Sequence, residues 1–374
     1  MKKNVVLILL LLLPKPSFAG YFESSYSGLG GIYYGVSETR DNYNLSNEPN
    51  RAVFRTDVRG GTDYVFSPQH KIGIHASAAL ILKEHDKSYQ GGEWRFYPWL
   101  KDESEYGRFE AGYVFNAAYQ LHKGAKDITF FGINDSNLTY FLSNPNWSNG
   151  KHSVKFATPK STTVMNDGRA PKLAYFTPRL GNTVLGFSYA PDNAHRRGMV
   201  SRYADYETAE DGYTAGMQNE WQLGETKLYT SLGYGLFNRT DKETSVGIML
   251  VNGRWSFGAG YKKAYIDGHK NPITVNSSDS RCPDLFDNYR ESSAWNISIG
   301  HEWENWKSNV AFLQTEAENT RNSDRLLVFS NVFSLSKQVE AYLVGLYINS
   351  HGADKYGSAN NRGYALTTGL GLRF

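Results

Sequence analysis

The chain has 374 residues, with 40 lysines and arginines against 37 acidic residues, and a single cysteine. Three lysines (Lys2, Lys3 and Lys15) fall in the first nineteen residues, which hold no acid; the remainder therefore carries 37 charges of each sign and no field that would attract nucleic acid. The lone Cys282 excludes a disulfide-stapled fold and a metal or redox site built on thiolates.

The chain opens on Lys2 and Lys3, runs through an apolar stretch from Val5 to Leu13, and reaches the small residues Ser17 and Ala19. This pattern predicts a secretory signal over 1–19, cleaved after Ala19, and one domain over 20–374. The apolar stretch is too short for a membrane helix, which needs about 20 residues. The rest combines 26 Tyr, 20 Phe, 8 Trp and 36 Gly with only 12 Pro. Rich in aromatics and glycine, and exported, such a chain suits a β-barrel whose outer face meets lipid.

Runs of period-two alternation recur through the mature part. They predict strands at 21–38, 51–65, 70–84, 91–98, 106–115, 169–178, 183–191, 211–223, 226–238, 241–252, 254–266, 290–304, 306–318, 323–335, 337–350 and 361–374. In the second, Arg51, Arg55, Asp57 and Arg59 share one face, and Phe54 and Val58 the other. A lipid-facing Arg at mid-bilayer costs roughly 2–4 kcal/mol, so the charged face looks into the lumen. The same parity turns Glu93 and Arg95 inward with Trp94 and Phe96 outward, and turns Arg108 and Glu110 inward beside Phe109 and Ala111. Tyr229 also faces inward. The strand at 337–350 alternates ambiguously.

The connections support the count. Every second one is a tight turn, apart from a slightly longer piece at 99–105, whereas the others hold every long segment: 39–50, 116–168, 192–210, 267–289 and 351–360. Short turns on one side and long loops on the other is the asymmetry of an outer-membrane barrel. The closing stretch TTGLGLRF must pair with the first strand, because an open edge in a bilayer leaves backbone groups unsatisfied. That pairing makes Phe374 a candidate assembly signal at the lipid interface. A soluble sandwich would need a second layer over the aromatic stripes, and no helical pattern supplies one. The expected fold is therefore an all-β, 16-stranded antiparallel transmembrane barrel.

Three stretches, YFTPRLGNTVLGFSYAP (175–191), FSLSKQVEAYLVGLYINS (333–350) and the closing GLGLRF, resemble the general diffusion porins of Gram-negative outer membranes. The resemblance implies a homotrimer in the outer membrane, passing small hydrophilic solutes and ions through a water-filled channel. It also implies that the long third outer loop, here 116–168, folds into the lumen and narrows it. The family's acidic, glycine-rich loop motif is absent from that segment. A basic wall of Arg55, Arg59, Arg95 and Arg108, with Glu110, facing loop acids would set a transverse field at a constriction; Asp127 and Asp135 are the candidate acids. The expected partners are the lipid bilayer with its lipopolysaccharide, the barrel-assembly machinery and two further copies of the chain.

Other chemistries find less support. The Asp and Asn oxygens of GINDSNLTYFLSNPNWSNG match no EF-hand spacing, and the nine His show no HExxH pattern, so neither a metal nor a cofactor is expected. Ser298 and His301 share a strand but point to opposite faces, and no G-x-S-x-G occurs, so no hydrolase site is expected. His195 and His269 lie in loops with nothing to pair them for barrel-rim proteolysis. The loops at 192–210 and 267–289 are long enough for a receptor or adhesin role.

Overall fold

The structure, a computed structural model, describes residues 20–39, 50–83, 93–129, 131–134, 141–142, 159, 161–165, 167–192, 211–266, 290–318, 323–351 and 360–373. Sixteen strands follow in chain order: β1 (Tyr21–Thr39), β2 (Asn50–Ser67), β3 (His70–Lys83), β4 (Glu93–Ser104), β5 (Gly107–Tyr113), β6 (Pro171–Phe176), β7 (Thr183–Ala190), β8 (Gly212–Leu223), β9 (Thr226–Phe237), β10 (Asp241–Asn252), β11 (Trp255–Ile266), β12 (Arg290–Glu302), β13 (Trp306–Ala317), β14 (Ser323–Ser334), β15 (Val339–His351) and β16 (Asn361–Arg373). Each pairs antiparallel with its sequence neighbours, and β16 pairs with β1 from Leu29↔Arg373 to Thr39↔Gly363, which closes the barrel.

Alternation fixes what each face does. On β16 the even residues Tyr364, Leu366, Leu370 and Leu372 are exposed, whereas Ala365 and Thr367 are buried. The outward residues of β11 and β12, among them Trp255, Phe257, Tyr261, Trp295, Ile297 and Ile299, are large, apolar and exposed, as lipid contact requires. At the turn end, Trp303 and Trp306 stack with ring centroids 4.4 Å apart, and Phe333 stacks on Trp306 at 5.4 Å. They form part of an aromatic girdle. The outward face of β1 to β3 differs, with small residues at Gly28, Gly30, Gly60, Ala76 and Ala78.

The expected strand order stands, with one correction of bounds. The fourth strand does not stop at 98: β4 runs on to Ser104, and Glu105-Tyr106 is a tight turn like the others on that side. Pro98 does not end the strand, because it sits where pairing with β5 ends, at Trp99↔Gly112, so its missing N–H breaks no ladder there. One short helix, α1 (Ala117–Leu121), appears in the third outer connection, between β5 and β6, where no helix was expected.

A dry core lies inside the barrel. The inward faces of β13 to β15 carry Leu313, Leu326, Val328, Val344, Leu346 and Ile348, all buried, and β1 adds Tyr33. Phe131, Ile133, Phe141 and Leu142 of the third connection cover them. The Phe131 ring meets Tyr33 edge-on at 5.1 Å and Phe141 at 5.0 Å.

Candidate functional site

The third connection runs along the inner wall because the wall is built to receive it. Asn116 caps α1: its Oδ1 accepts from the Tyr119 N–H at 2.7 Å, a common N-cap bond. The helix then lies over β8, where Ala118 would meet any Cβ at Gly216. Farther on, the Lys123 and Gly124 carbonyl oxygens pass so close to Gly247 of β10 and Gly258 of β11 that a side chain at either would collide with them. Hydroxyl groups fasten the segment between these points. Ser231 accepts from the Lys123 N–H at 2.8 Å, Ser298 accepts from the Lys126 N–H at 2.9 Å, and Thr129 bonds Ser330 at 3.1 Å. A Gly247→Val variant is expected to lift the loop from the wall and change single-channel conductance while leaving the heat-shifted barrel band on a gel intact; unchanged conductance would contradict this seating.

The return limb is held as firmly. Asn296 donates to Thr162 at 2.9 Å and to Asn134 at 2.8 Å, and Glu243 accepts from the Met165 N–H at 2.9 Å while paired with Lys262 at 2.7 Å. Both ends of the connection then meet in one buried cluster. Asn116 Nδ2 donates to Asp167 at 2.6 Å and to the Val164 carbonyl, and Lys172 Nζ binds Asp167 at 3.1 Å and the carbonyls of Val114 and Gly168 at 2.9 Å.

His122, which follows α1, has both ring nitrogens without a hydrogen-bond partner among the described residues. Burial, with Lys123 and Lys262 nearby, pushes its pKa down to about 4. The folded protein thus prefers the neutral ring. Its contribution to stability is complete above the ordinary value of 6.5 and is lost as pH falls from there to about 4. Channel noise in planar bilayers is expected to grow across that window and to lose the His122-dependent part in His122→Phe; identical pH profiles would remove His122 from the loop's seat.

Beside the filled half of the lumen a cavity of about 1140 Å³ remains along β1 to β5. Six cationic side chains line it (Arg55, Arg59, Arg95, Arg169, Lys337 and Arg373) against two carboxylates, Asp57 and Glu110. Arg55 holds Asp57 through both guanidinium arms, one at 2.9 Å. Arg108 pairs with Glu110 at 3.3 Å, donates to Gln120 at 3.0 Å and lies 4.1 Å over the Phe176 ring. Arg59 lies 5.0 Å over Trp99, whose ring stacks on His75, itself bonded to Asp63 at 2.8 Å. Arg169 reaches across to Ser77, the residue opposite Arg59 on β3, at 2.8 Å, and sits over the rings of Tyr97 and Phe115.

The structure thus gathers Arg55, Arg59, Arg95 and Glu110 around one cavity, with Arg108 bound to Glu110 at its edge. Asp127, expected to face the arginines, is turned elsewhere: it accepts the N–H groups of Ile133 and Asn134 at 2.9 and 3.0 Å and so closes the loop's own bend. Asp135, Phe374, His195, His269, Cys282 and the side chains of Arg51 and Glu93 lie outside the described residues. Arg169 and the Tyr97–Trp99 pair were missed; parity alone places the two aromatics inward, but the strand expected over 169–178 starts only at Pro171, so the parity that would have set Arg169 on the outward face of Leu173 and Tyr175 does not apply to it. Ser298 lies inside against Lys126, and His301 outside against the Trp255 ring at 4.3 Å, as parity required. Among the described residues no group of His, Cys, Asp and Glu is placed to hold a metal.

A closed barrel with a lipid-facing outer wall and a polar residual lumen is the architecture of a membrane channel. A family model described as Gram-negative porin matches residues 26–353, and the chain belongs to that family. It is an outer-membrane channel for passive diffusion. No characterised protein matches it by sequence similarity. Among solved structures it is similar to the anion-selective porin from Comamonas acidovorans (12% identity, 95% of this chain and 100% of that one, TM-score 0.56). It is also similar to OmpF of Salmonella typhi in complex with daunomycin (9%, 94% and 97%, 0.59) and to the trimer form of OmpT, an outer membrane protein of Vibrio cholerae (11%, 94% and 99%, 0.54).

Proposed function

We propose that this porin prefers anions. The observation that carries the reading is the lining of the cavity beside the loop: six cations to two carboxylates, an excess of four positive charges. Both carboxylates are already engaged by Arg55 and Arg108. In a narrow, partly dehydrated passage such an excess lowers the barrier for anions and raises it for cations. Arg55, Arg59, Arg95 and Arg169 act as the constriction's positive wall, and Tyr119 and Gln120 of the loop stand among the uncharged residues around it. The test is the reversal potential of the purified protein in a planar bilayer across a KCl gradient. A sign set by chloride supports the reading, and one set by potassium overturns it.

The chain acts without catalysis, as a homotrimer, after removal of residues 1–19. Trimeric packing is supported by the small outward residues on β1 to β3, which let flat surfaces approach, and by the trimer form of the Vibrio cholerae relative. Lipopolysaccharide and the barrel-assembly machinery are its membrane partners.

A further inference from the structure

The arginines around the cavity are aimed by different means. Arg55 is held by Asp57, Arg373 by Glu340 at 2.7 Å, and Arg169 by Ser77 and two rings. Arg59 is exposed and makes neither a hydrogen bond nor an ion pair among the described residues; its guanidinium lies over the Trp99 ring. An arginine side chain released into water sweeps through many rotamers. The indole face therefore decides where this charge stands. Trp99 is set in turn by its neighbours. One pleat from Arg59 toward the turn end, Gly61, His75 and Trp99 share a row across β2, β3 and β4, and Asp63 faces Gly73 in the next. The imidazole plane is 17° from that of the indole, with centroids 5.4 Å apart, and Asp63 bonds the imidazole at 2.8 Å. Asp63, His75 and Trp99 are all buried; a side chain at Gly61 would collide with the imidazole, and one at Gly73 with the carboxylate. The wall thus carries a recess cut to this pair. An aliphatic side chain would fill such a recess with no charged group to desolvate. What it would lack is a flat ring held in one plane by a hydrogen bond.

We propose that Asp63, His75 and Trp99 are positioning residues for ion selectivity. Asp63 fixes the plane of His75, His75 backs the indole of Trp99, and the indole aims the Arg59 charge into the anion path. Trp99 and Arg59 line the cavity, whereas Asp63 and His75 do not, so the pair acts on the ion only through its neighbours. This inference rests on the anion-preferring reading.

The experiment is a mutant cycle on the full barrel, read as the reversal potential in a planar bilayer across a KCl gradient, with the heat-shifted band on a gel reporting assembly. W99L and H75A/D63N are each expected to lower the chloride-over-potassium permeability ratio about threefold, the factor that an exposed cation–π contact represents. Neither should have any further effect in an R59Q background, because the charge they aim is gone. H75F/D63N, which returns a flat ring to the same recess, should keep the ratio of the unmodified protein. An unmoved ratio in folded W99L, or in R59Q, overturns the proposal; if W99L does not assemble, H75A/D63N carries the same test. A drop of equal size with and without Arg59 also overturns it, since a general change in the wall would act that way. A ratio in H75F/D63N as low as in H75A/D63N overturns the part assigned to the ring. The sign for the unmodified protein separates the two readings: a potential set by potassium sinks the anion preference, and one set by chloride that no variant moves sinks the positioning alone.

Discussion

A channel in which Arg55 and Arg59 are both replaced by glutamate is expected to lose its anion preference while assembling normally. Each reversal removes two positive units from the cavity lining, and the excess of four falls to zero. The effect is large because both side chains stand on one inward face of β2, two pleats of the same strand, where solute must pass. Arg55→Glu also frees Asp57 from its bidentate partner, and Arg59→Glu uncovers the Trp99 ring. Neither change touches the outward face or the ladder, so the heat-shifted band on a gel should keep its amount. The reversal potential in a KCl gradient should move to near zero. An unmoved potential would take both arginines out of the ion path.

Asp167→Asn should have the second largest effect, and it should appear in the loop rather than in the barrel. The side chains of Lys172 and Asp167 are 0% and 1% exposed, so the ammonium group has no water to fall back on. Removing one partner of such a buried pair costs about 3–5 kcal/mol, because the other charge stays buried. The cluster joins the start of the connection, through Asn116, to its end, through Val164 and Asp167. The expected outcome is a folded barrel with larger and noisier conductance steps. Replacing both partners, Asp167→Leu with Lys172→Met, should quieten the channel, since an apolar pair of similar volume leaves no buried charge. Steady, native-sized steps from the single variant would show that this cluster does not hold the loop.

The barrel was legible because a lipid-facing strand cannot hide its period. Arg55, Arg59, Arg95, Arg108 and Glu110 were turned inward by parity alone, and the register agrees. Legibility failed where a second layer intervenes. The strand now seen as β15 alternated ambiguously because its inward residues Tyr342, Val344, Leu346 and Ile348 are as apolar as its outward ones. Four successive inward apolar residues, between Glu340 and Ser350, were themselves the signal that something apolar covers them, and Phe131 and Ile133 are part of that cover. Asp127 misled for a different reason. A carboxylate in a loop can meet a distant arginine or its own backbone, and two N–H groups six and seven residues on are far nearer. Arg169 acts through its reach to Ser77, which only the fold brings within range.

The core that Phe131 forms with Tyr33 has a bearing on how the molecule is made. Tyr33 belongs to the first strand and Tyr342 to the fifteenth, and their rings lie 5.6 Å apart across the line where the last strand joins the first. Phe131 completes its contacts only when that line has shut. The plug's seat is therefore complete only in the closed cylinder, where it bears on both sides of the join like a keystone set from inside. With the join open, Phe131 would lack the Tyr33 side of its seat, so the narrowing of the passage and the closure of the cylinder lean on the same contact.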